Sequence, residues 1–451
     1  MQDYEGVSLA MKAAAKSVDI TPPVGLPIGG NVRQDNISRG IHDSLYCNIL
    51  ILEDGKNKVC FLNVDLIGLH YESCQLIKNA VYKKTGIKPE GIVIFATHTH
   101  SGPDVVEFFK ESIDPACIEY INTLAEKISD EVAEIYMNTN EANVAISKYF
   151  VNDLSFNRRL ISRDGNIIMN WEYPDEKDIL GEAGPIDEEL YAISIIDESD
   201  KLISLLINFT LHPAVLVGQD WLWSRDYIHY LDVFLKNHLS SDFVLLFANG
   251  AEGNINHINY RDKNQKRGFL EAQRIGEKLG QYVLDALKIS KTLEDIDLVC
   301  ISEKAEFPLR NISDTEIKEA EKLLIACNGV IPSLLDGCPE EMYAKEKIKL
   351  SRKKEKFATT ELQLIKLSSD VIIVTFPGEV FVEIGLEVKK TSGYENTLIF
   401  GLANDCIGYI PTAEAFEQKG GYETKTAASS KLDPSADEIL INSIRQLLKR
   451  L

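Results

Sequence analysis

Short runs rich in β-branched and aromatic residues recur along most of this 451-residue chain, and amphipathic helical patterns separate them. Runs of this length and composition are typical of buried strands, and their alternation with helices indicates layers of helix packed on sheet. The predicted strands cover residues 46–52, 59–64, 92–95, 192–196, 202–209, 243–247, 361–367, 371–376 and 397–402. We therefore predict an α/β (mixed α+β) chain in which mixed β-sheets are flanked by helices.

Apolar residues at three- and four-residue steps mark the helices, most clearly over residues 117–137. The other predicted helices span residues 74–84, 268–287, 315–327 and 380–390. Near the C-terminus, Ser435 and Glu438 have the spacing of a capping box ahead of a closing amphipathic helix. Only a short acidic turn separates the runs at 192–196 and 202–209, which predicts that these two strands pair antiparallel.

Neither an internal repeat nor a low-complexity linker divides the sequence. We therefore predict a single large catalytic domain over residues 1–451. Residues 340–356 are almost all charged, with Lys and Glu interleaved, and this pattern is typical of a solvated helical face. We expect this segment to be an exposed helical insertion outside the core.

The chain carries 69 acidic and 48 basic side chains, which gives a formal net charge of −21. A surface this negative repels phosphate backbones and anionic lipid headgroups. We therefore predict no nucleic-acid partner and no stable membrane association. The expected partner is a small-molecule substrate, and the sequence is compatible with a homo-oligomer.

The N-terminal segment carries two early acids and no unbroken apolar stretch, so it lacks the form of a secretory signal. No apolar run in the sequence reaches the ~18 to 20 residues that a membrane helix requires. The eight cysteines are scattered without any C-x-x-C pair, which is typical of reduced core residues. The sequence therefore predicts a cytoplasmic protein.

One apolar run leads directly into a His-x-His pair, in the segment GIVIFATHTHSGP at residues 91–103. Side chains two apart on a strand point to the same face, so His98 and His100 are expected to share one pocket at the strand end. Imidazole is a favoured ligand of Zn²⁺. Two structural histidines satisfied by hydrogen bonds account for so short a motif equally well.

Two more polar side chains follow apolar strands. His212 comes just past the run at 202–209, and Glu379 stands at a strand-to-helix corner after the run at 371–376. Two histidines and one carboxylate at strand ends form a catalytic zinc set that leaves one position open for water. Taken singly, His212 is also typical of a turn, and Glu379 of an acid that a helix N-terminus favours.

Three further segments have the glycine and asparagine density of loops that bring the backbone close to a ligand. They are DITPP at 19–23, LFANGAEGNINH at 246–257 and GLANDCIGYIPTAEAFEQKGGYE at 401–423. Turn chemistry alone also accounts for each of them.

Taken together and in this order, these segments resemble the neutral/alkaline ceramidase family, the zinc amidases that split the N-acyl bond of ceramide. The most specific matches are ATHTHSGP at 96–103 and the segment at 409–423. The further landmarks are DITPP at 19–23, GIHD at 40–43, VDL at 64–66, FNR at 156–158, HP at 212–213, GNIN at 253–256 and PGE at 377–379. The resemblance thus runs through most of the chain.

The resemblance implies a zinc centre with an unusual ligand set. It implies that His98 binds Zn²⁺ together with His212 and Glu379. The fourth implied ligand is the hydroxyl of Tyr409.

The same resemblance implies three residues that act on the substrate. His100 is expected to act as the general acid/base, and Tyr422 to donate a hydrogen bond to the developing oxyanion. Arg158 is expected to help hold the substrate. The implied mechanism is attack by a metal-activated water without a protein nucleophile.

This sequence also departs from the family pattern. Residues 253–257 read GNINH and lack the serine of the family's G-D-V-S-P-N segment, which disfavours a covalent serine mechanism. Phe416 stands where the family usually has a tyrosine, and the family's C-terminal immunoglobulin-like domain has no counterpart in this sequence. We therefore expect substrate presentation to differ.

Our leading hypothesis is a zinc-dependent hydrolase that cleaves an amide (N-acyl) bond of a small, polar substrate. An ester, lactone or glycosidic bond on the same scaffold is an alternative, because a scaffold and its metal do not fix the bond that is cut. A non-catalytic metal- or ligand-binding protein is the second alternative.

Five further residues have no assigned role in this hypothesis. They are Asp19, Asp65, Asp226, Tyr227 and His257. For the aspartates the pattern favours turn capping and satisfaction of buried backbone amides over a role in the pocket.

Overall fold

The computed structural model describes residues 11–33, 35–218, 220–328, 331 and 338–451. The longer strands are β1 Lys12–Asp19, β3 Tyr46–Glu53, β4 Lys58–Val64, β5 Ile92–Ala96, β6 Asn140–Phe150, β11 Glu189–Asp197, β12 Leu202–Phe209, β14 Val244–Asn249, β17 Val299–Pro308, β18 Phe357–Lys366, β19 Val371–Thr375 and β21 Asn396–Phe400. The short strands are β2 Gly40–Ile41, β7 Phe156–Asn157, β8 Arg159–Ser162, β9 Ile167–Met169, β10 Ile179–Glu182, β13 Leu222–Trp223, β15 Ile255–Asn256, β16 Lys291–Thr292, β20 Glu379–Val380 and β22 Tyr409–Ile410.

Helices flank these strands on both sides. The α-helices are α1 Tyr71–Thr85, α2 Pro115–Tyr136, α3 Tyr227–His238, α4 Phe269–Leu287, α5 Asp314–Ala326, α6 Glu340–Ser351, α7 Val382–Thr391, α8 Ala413–Glu417 and α9 Ala436–Leu448. Short 3₁₀ turns occur at Pro89–Gly91, Asn170–Glu172 and Glu176–Asp178. Among the described residues, every helix is too short or too polar to span a bilayer.

Two sheets stacked face to face form the centre of the fold. The larger has nine strands, with β16 beside β6 and the main order β14-β12-β11-β6-β1-β3-β4-β5. The smaller has the order β17-β18-β19-β21. Parallel pairs (β12 with β14, β4 with β5, β19 with β21) stand among antiparallel ones, so both sheets are mixed.

Alternating side chains divide the core into layers, as the two-residue period of a strand requires. One face of the larger sheet packs against α1 and α2 at one end and against α3 and α4 at the other. Its opposite face packs on the smaller sheet, whose outer face is covered by α7 and α9. The resulting α/β/β/α layering confirms the predicted fold class of mixed sheets flanked by helices.

Most predicted elements are present, and β11 pairs antiparallel with β12 as predicted. The predicted capping box at Ser435 and Glu438 was wrong. Helix α9 begins at Ala436, but the Ser435 side chain makes no cap bond and instead donates from Oγ to Asp433 Oδ1 at 2.7 Å. A true capping box starts α5, where Ser313 and Glu316 exchange side-chain and backbone hydrogen bonds.

The charged segment at 340–356 contains helix α6, but it is not an arm that extends away from the protein. Tyr343, Ala344 and Glu346 are buried, and Glu346 Oε2 accepts a hydrogen bond from the Ala428 backbone N–H at 2.9 Å. The helix therefore packs on the protein despite its many charges. Its description as an insertion, and the single domain over 1–451, stay predictions.

The contact between the two sheets generates a stability prediction. Phe400 of β21 is fully buried, with its ring centroid 4.8 Å from that of Phe95 in β5. Phe400→Ala is expected to lower the free energy of unfolding by about 3–5 kcal/mol, because a large buried ring is removed and a cavity remains. Urea unfolding measures this loss. Phe150→Ala, at a ring that is 62% exposed, should change stability by less than about 0.5 kcal/mol, and equal losses in both variants would contradict the proposed packing.

Candidate metal centre

The first part of the site is the turn that follows β5. Strand β5 ends at Ala96, and His98 has φ of +69°, in the left-handed region that non-glycine residues rarely adopt. Its backbone N–H bonds to the Leu66 carbonyl at 3.0 Å, which holds the turn in place. His98 and His100 therefore reach one pocket through this turn. The expected reason, alternation along a strand, was wrong.

Hydrogen bonds and packing around the turn hold the strained backbone conformation of His98. Thr99 Oγ1 donates to the Ser224 carbonyl at 2.7 Å, and the Ser224 N–H donates to the Ser101 carbonyl at 3.0 Å. On the other side of the pocket, Gly30 lies against the His100 ring, where a Cβ would come within 2.6 Å of it. Such cross-links stabilise a backbone conformation that on its own costs ~1–3 kcal/mol.

Three imidazole nitrogens and one carboxylate oxygen converge at the centre of the site. His98 Nε2 lies 3.4 Å from His100 Nε2, and His100 Nε2 lies 3.1 Å from His212 Nε2. Glu379 Oε2 lies 3.6 Å from His98 Nε2 and 4.0 Å from His212 Nε2. Ligand atoms bound tetrahedrally at ~2.0–2.2 Å are separated by roughly 3.3–3.6 Å. Two of the four distances fall in this range and the other two, 3.1 and 4.0 Å, lie close to it, so the spacing is compatible with a divalent ion.

The hydrogen-bonding state of these atoms also fits a cation. Glu379 Oε2 is buried without a hydrogen-bond partner among the described residues. His98 Nδ1 lies 2.5 Å from the Ile67 carbonyl, so this nitrogen carries the proton and the Nε2 lone pair faces the cluster. An unpartnered buried carboxylate is costly unless a positive charge compensates it.

The charge states agree with this arrangement. Burial, with a smaller contribution from the Arg158 charge, holds the pKa values of His100 and His212 well below the usual histidine value. Burial alone would raise the pKa of Glu379, but the neighbouring His98 and Tyr409, with Arg158, bring it below its usual value. Neutral imidazoles beside an ionised carboxylate are the forms that bind Zn²⁺.

Tyr409 reaches Glu379 through strand pairing. Strands β20 and β22 are parallel with Glu379 opposite Tyr409 in register, although the two residues are 30 positions apart. Tyr409 Oη lies 3.2 Å from Tyr422 Oη and accepts a hydrogen bond from Arg158 Nη2 at 3.3 Å. Burial and the Glu379 charge raise the pKa of Tyr409 well above its usual value. Because of this raised pKa, Tyr409 can act as a phenolate ligand only where a bound cation stabilises the deprotonated form.

Arg158 is fixed on its far side by a buried acid that the sequence did not identify. Arg158 Nε donates to Glu423 Oε1 at 2.9 Å, and Arg159 Nη1 donates to Glu423 Oε2 at 2.8 Å. Arg158 Nη2 also donates to the Gly253 carbonyl at 2.6 Å. The only sequence signal for Glu423 was its place beside Tyr422. Its carboxylate sets the position of the guanidinium.

The structure places Trp171 and Glu252 beside the same site, and neither was singled out from the sequence. The Trp171 ring is 39% exposed and lies 5.7 Å from the Tyr422 ring. Glu252 is fully buried, and both its oxygens lack a hydrogen-bond partner among the described residues. Burial and the neighbouring Glu379 charge raise the pKa of Glu252 well above its usual value. The protonated, neutral form of the Glu252 side chain is thereby favoured.

The aspartates without an assigned role mostly support loops. Asp226 accepts hydrogen bonds from the backbone N–H groups of Leu216 and Tyr227, both at 2.6 Å, and Tyr227 Oη donates to the Leu211 carbonyl at 2.6 Å. These bonds hold the loop that carries His212.

Asp65 and Asp19 have similar roles away from the cluster. Asp65 accepts from the Tyr46 N–H at 2.8 Å, and Asp19 accepts from the Thr21 N–H at 2.8 Å. His257 does not belong to the cluster. Its carbonyl accepts a hydrogen bond from Gln265 Nε2 at 2.8 Å.

A second group of possible ligand type, formed by His42, Asp43 and His229, does not fit a cation. Asp43 Oδ1 already accepts from the Arg225 backbone N–H at 2.8 Å, and Asp43 Oδ2 accepts from Ser224 Oγ at 2.5 Å. Arg225 Nη2 lies 3.4 Å from His229 Nδ1, so a positive charge is present already. The group instead anchors Ser224 under the turn that carries His98.

The comparisons with known proteins agree with the fold and with the family that the sequence resembles. A model described as neutral/alkaline non-lysosomal ceramidase, N-terminal, matches residues 13–259, which is more than half of the chain. This chain belongs to the neutral/alkaline non-lysosomal ceramidase family. Family membership supports a hydrolase of the amidase type as its class.

Two solved structures are similar to the whole chain. The crystal structure of neutral ceramidase from Pseudomonas aeruginosa matches with a TM-score of 0.70 and 17% identity, covering 98% of this chain and 75% of that one. A ceramidase complexed with C2 matches with a TM-score of 0.68 and 15% identity, covering 98% of this chain and 76% of that one. At these identities the likeness shows the fold alone.

The geometry predicts that two buried histidines, His212 and His257, contribute differently to metal binding. His212→Ala is expected to weaken divalent-metal binding by more than the about 10–100-fold typical of residues that only orient a ligand. His257→Ala, the matched control outside the cluster, should retain the wild-type metal content. Elemental analysis after dialysis against a weak chelator measures both. Equal metal content in the two variants would remove His212 from the site.

Proposed function

We propose that this protein is a zinc-dependent hydrolase that uses activated water to cleave an amide (N-acyl) bond of a small substrate. The observation that carries the proposal is the convergence of three imidazole nitrogens on an unpartnered buried carboxylate oxygen, with neighbouring distances of 3.1–4.0 Å. The proposed zinc ligands are His98, His212, Glu379 and Tyr409. When bound, Zn²⁺ would lower the pKa of a water molecule to about 7.

His100 is the proposed general acid/base. Its Nε2 faces the cluster, and the depressed pKa of its imidazole leaves the ring neutral and able to accept a proton. Returning that proton to the leaving nitrogen completes amide cleavage. The 3.1 Å distance between His100 Nε2 and His212 Nε2 also suits a direct ligand. If His100 is a ligand, metal binding requires its side chain; if it is only the general acid/base, metal binding does not.

Tyr422 and Arg158 are the proposed polar contacts of the substrate. Burial raises the pKa of the Tyr422 hydroxyl, so it stays protonated and can donate to the oxygen of the scissile carbonyl. Arg158 donates to the Tyr409 hydroxyl, lies over the Tyr422 ring and is held by Glu423, so it can orient both tyrosines. A preorganised donor of this kind needs little rearrangement during the reaction.

The substrate class is proposed from the family and from the charge of the chain. Ceramide is the first compound to test, because both similar solved structures are named as ceramidases. Shorter and more polar N-acyl amides follow, since the net charge of −21 favours a soluble substrate over an anionic membrane surface. We further propose a cytoplasmic location and no nucleic-acid partner. Product analysis on matched amides, esters and glycosides identifies the bond that is cut.

The role of His100 can be tested separately from that of the metal ligands. His100→Ala should keep near wild-type zinc content while kcat falls by ~10²- to 10⁴-fold, as expected for loss of a general acid/base. His238→Ala, at an exposed histidine at the end of α3, serves as the control and should leave both unchanged. Loss of zinc from His100→Ala would make His100 a ligand and would overturn the proposed ligand set.

The proposed oxyanion contact gives a second kinetic prediction. Tyr422→Phe should raise the activation free energy by ~2.7–4 kcal/mol, which is about a 10²- to 10³-fold loss of kcat, with little change in zinc content. Tyr149→Phe, far from the site beside Tyr282, is the matched control. A wild-type kcat in Tyr422→Phe would show that this hydroxyl takes no part in the reaction.

A further inference from the structure

A cavity of about 260 Å³ lies outside the metal centre, and its lining carries an unusual charge for this chain. It is formed by the loop that follows β17, the segment that follows α6, and Lys431. Four of its lining residues are cationic, namely Arg310, Lys353, Lys356 and Lys431, and one, Glu355, is acidic. A net positive cavity is unexpected in a protein with a net charge of −21.

The four cations lack the carboxylate partners that neighbouring basic residues have. Lys345 and Lys349, one turn apart on α6, pair with Glu111 and Glu107. None of the four cavity cations lies within 4.0 Å of a carboxylate in the described part of the chain. Because acids outnumber bases by 69 to 48, pairing partners are abundant, and leaving four cations together without one favours an external anion.

Two of these cations, Arg310 and Lys431, are half-buried. The Lys431 ammonium makes no hydrogen bond to any described residue, and burial lowers the pKa of Lys431, although the nearby Asp405 opposes this. Burial likewise lowers the pKa of Arg310 to about 10, against the weaker opposing charges of Asp433 and Glu316. Partial removal of a cation from water without a counter-ion costs free energy, and a bound anion would offset that cost.

We propose that this cavity binds a small multivalent oxyanion of the phosphate class, held by Arg310, Lys353, Lys356 and Lys431. Arginine and lysine together are the side chains that proteins use for phosphate. The volume is below the ~300–1,000 Å³ of pockets for drug-sized ligands, which favours an ion or a phosphate monoester of low mass. The site is separate from the proposed hydrolytic function and does not depend on it.

The cavity wall is connected to the metal centre through Arg310. Its Nη1 donates to the Thr424 carbonyl at 2.7 Å, and its Nη2 donates to Ser430 Oγ at 2.7 Å. Ser430 Oγ in turn donates to the Glu423 carbonyl at 2.6 Å, next to Tyr422. An anion bound beside Arg310 is therefore expected to reinforce these contacts and to slow amide hydrogen exchange over residues 422–432.

Titration calorimetry with inorganic phosphate tests the proposal on the full chain at constant ionic strength set with sodium chloride. Wild-type protein should bind phosphate, and Lys431→Met should weaken the affinity by about tenfold or more, since a charge-assisted bond is lost. Lys353→Met, at an exposed residue, should also weaken binding and serves if Lys431→Met fails to fold. Lys354→Met, the adjacent lysine that does not line the cavity, is the matched control and should bind like wild type.

The possible outcomes distinguish the sources of binding. Citrate in place of phosphate tests whether carboxylates suffice, and tighter binding of phosphate supports the phosphate class. Wild-type protein that binds no phosphate overturns the proposal. So does phosphate binding that is equal in wild type, Lys431→Met and Lys353→Met, because the ion would then lie elsewhere, such as at the metal centre. These results are independent of whether any amide is hydrolysed.

Discussion

The buried carboxylate of Glu379 is the constraint on which the rest of the site depends. Its Oε2 faces His98 and His212 at 3.6 and 4.0 Å and has no hydrogen-bond partner among the described residues. A carboxylate in this environment is stable only beside positive charge. The depressed pKa values of His100 and His212 keep these two rings neutral, so they supply lone pairs, and the arrangement favours a bound cation over a hydrogen-bonded network.

The surrounding structure holds these ligands in place at a cost in local strain. His98 occupies the left-handed region, and so does Asp226, whose carboxylate supports the loop of His212. Each of these loops is cross-linked to the next, since the His100 N–H bonds to the Pro213 carbonyl at 3.3 Å. Strain of this kind persists only where several contacts determine the same conformation. The Glu423 carboxylate fixes the position of Arg158 in a similar way, because it accepts hydrogen bonds from both Arg158 and Arg159.

Much of the fold could be predicted because its signals are local. Strands such as β3 and β12 are nearly continuous apolar runs, and α2 has a clear apolar stripe. Signals failed where local patterns mislead: β1 begins with the residues KAAAK, a composition typical of helix, yet it pairs with β3 along its whole length. The Ser435 cap failed because Asp433 competes for its hydroxyl. In the first case, strand pairing overrides helix propensity. In the second, a neighbouring hydrogen-bond acceptor overrides the capping pattern.

The sequence by itself determined which residue types could form the site and that they follow buried strands. His98, His212 and Glu379 were identifiable because imidazoles and a carboxylate at strand ends are unusual in otherwise apolar surroundings. Only the tertiary structure decided that Tyr409 stands opposite Glu379, through the register of two short parallel strands, and that Glu423 positions Arg158. The reason is that periodicity and composition report the neighbourhood along the chain. Distances between side chains that are far apart in sequence depend on strand register and loop conformation, which no local pattern encodes.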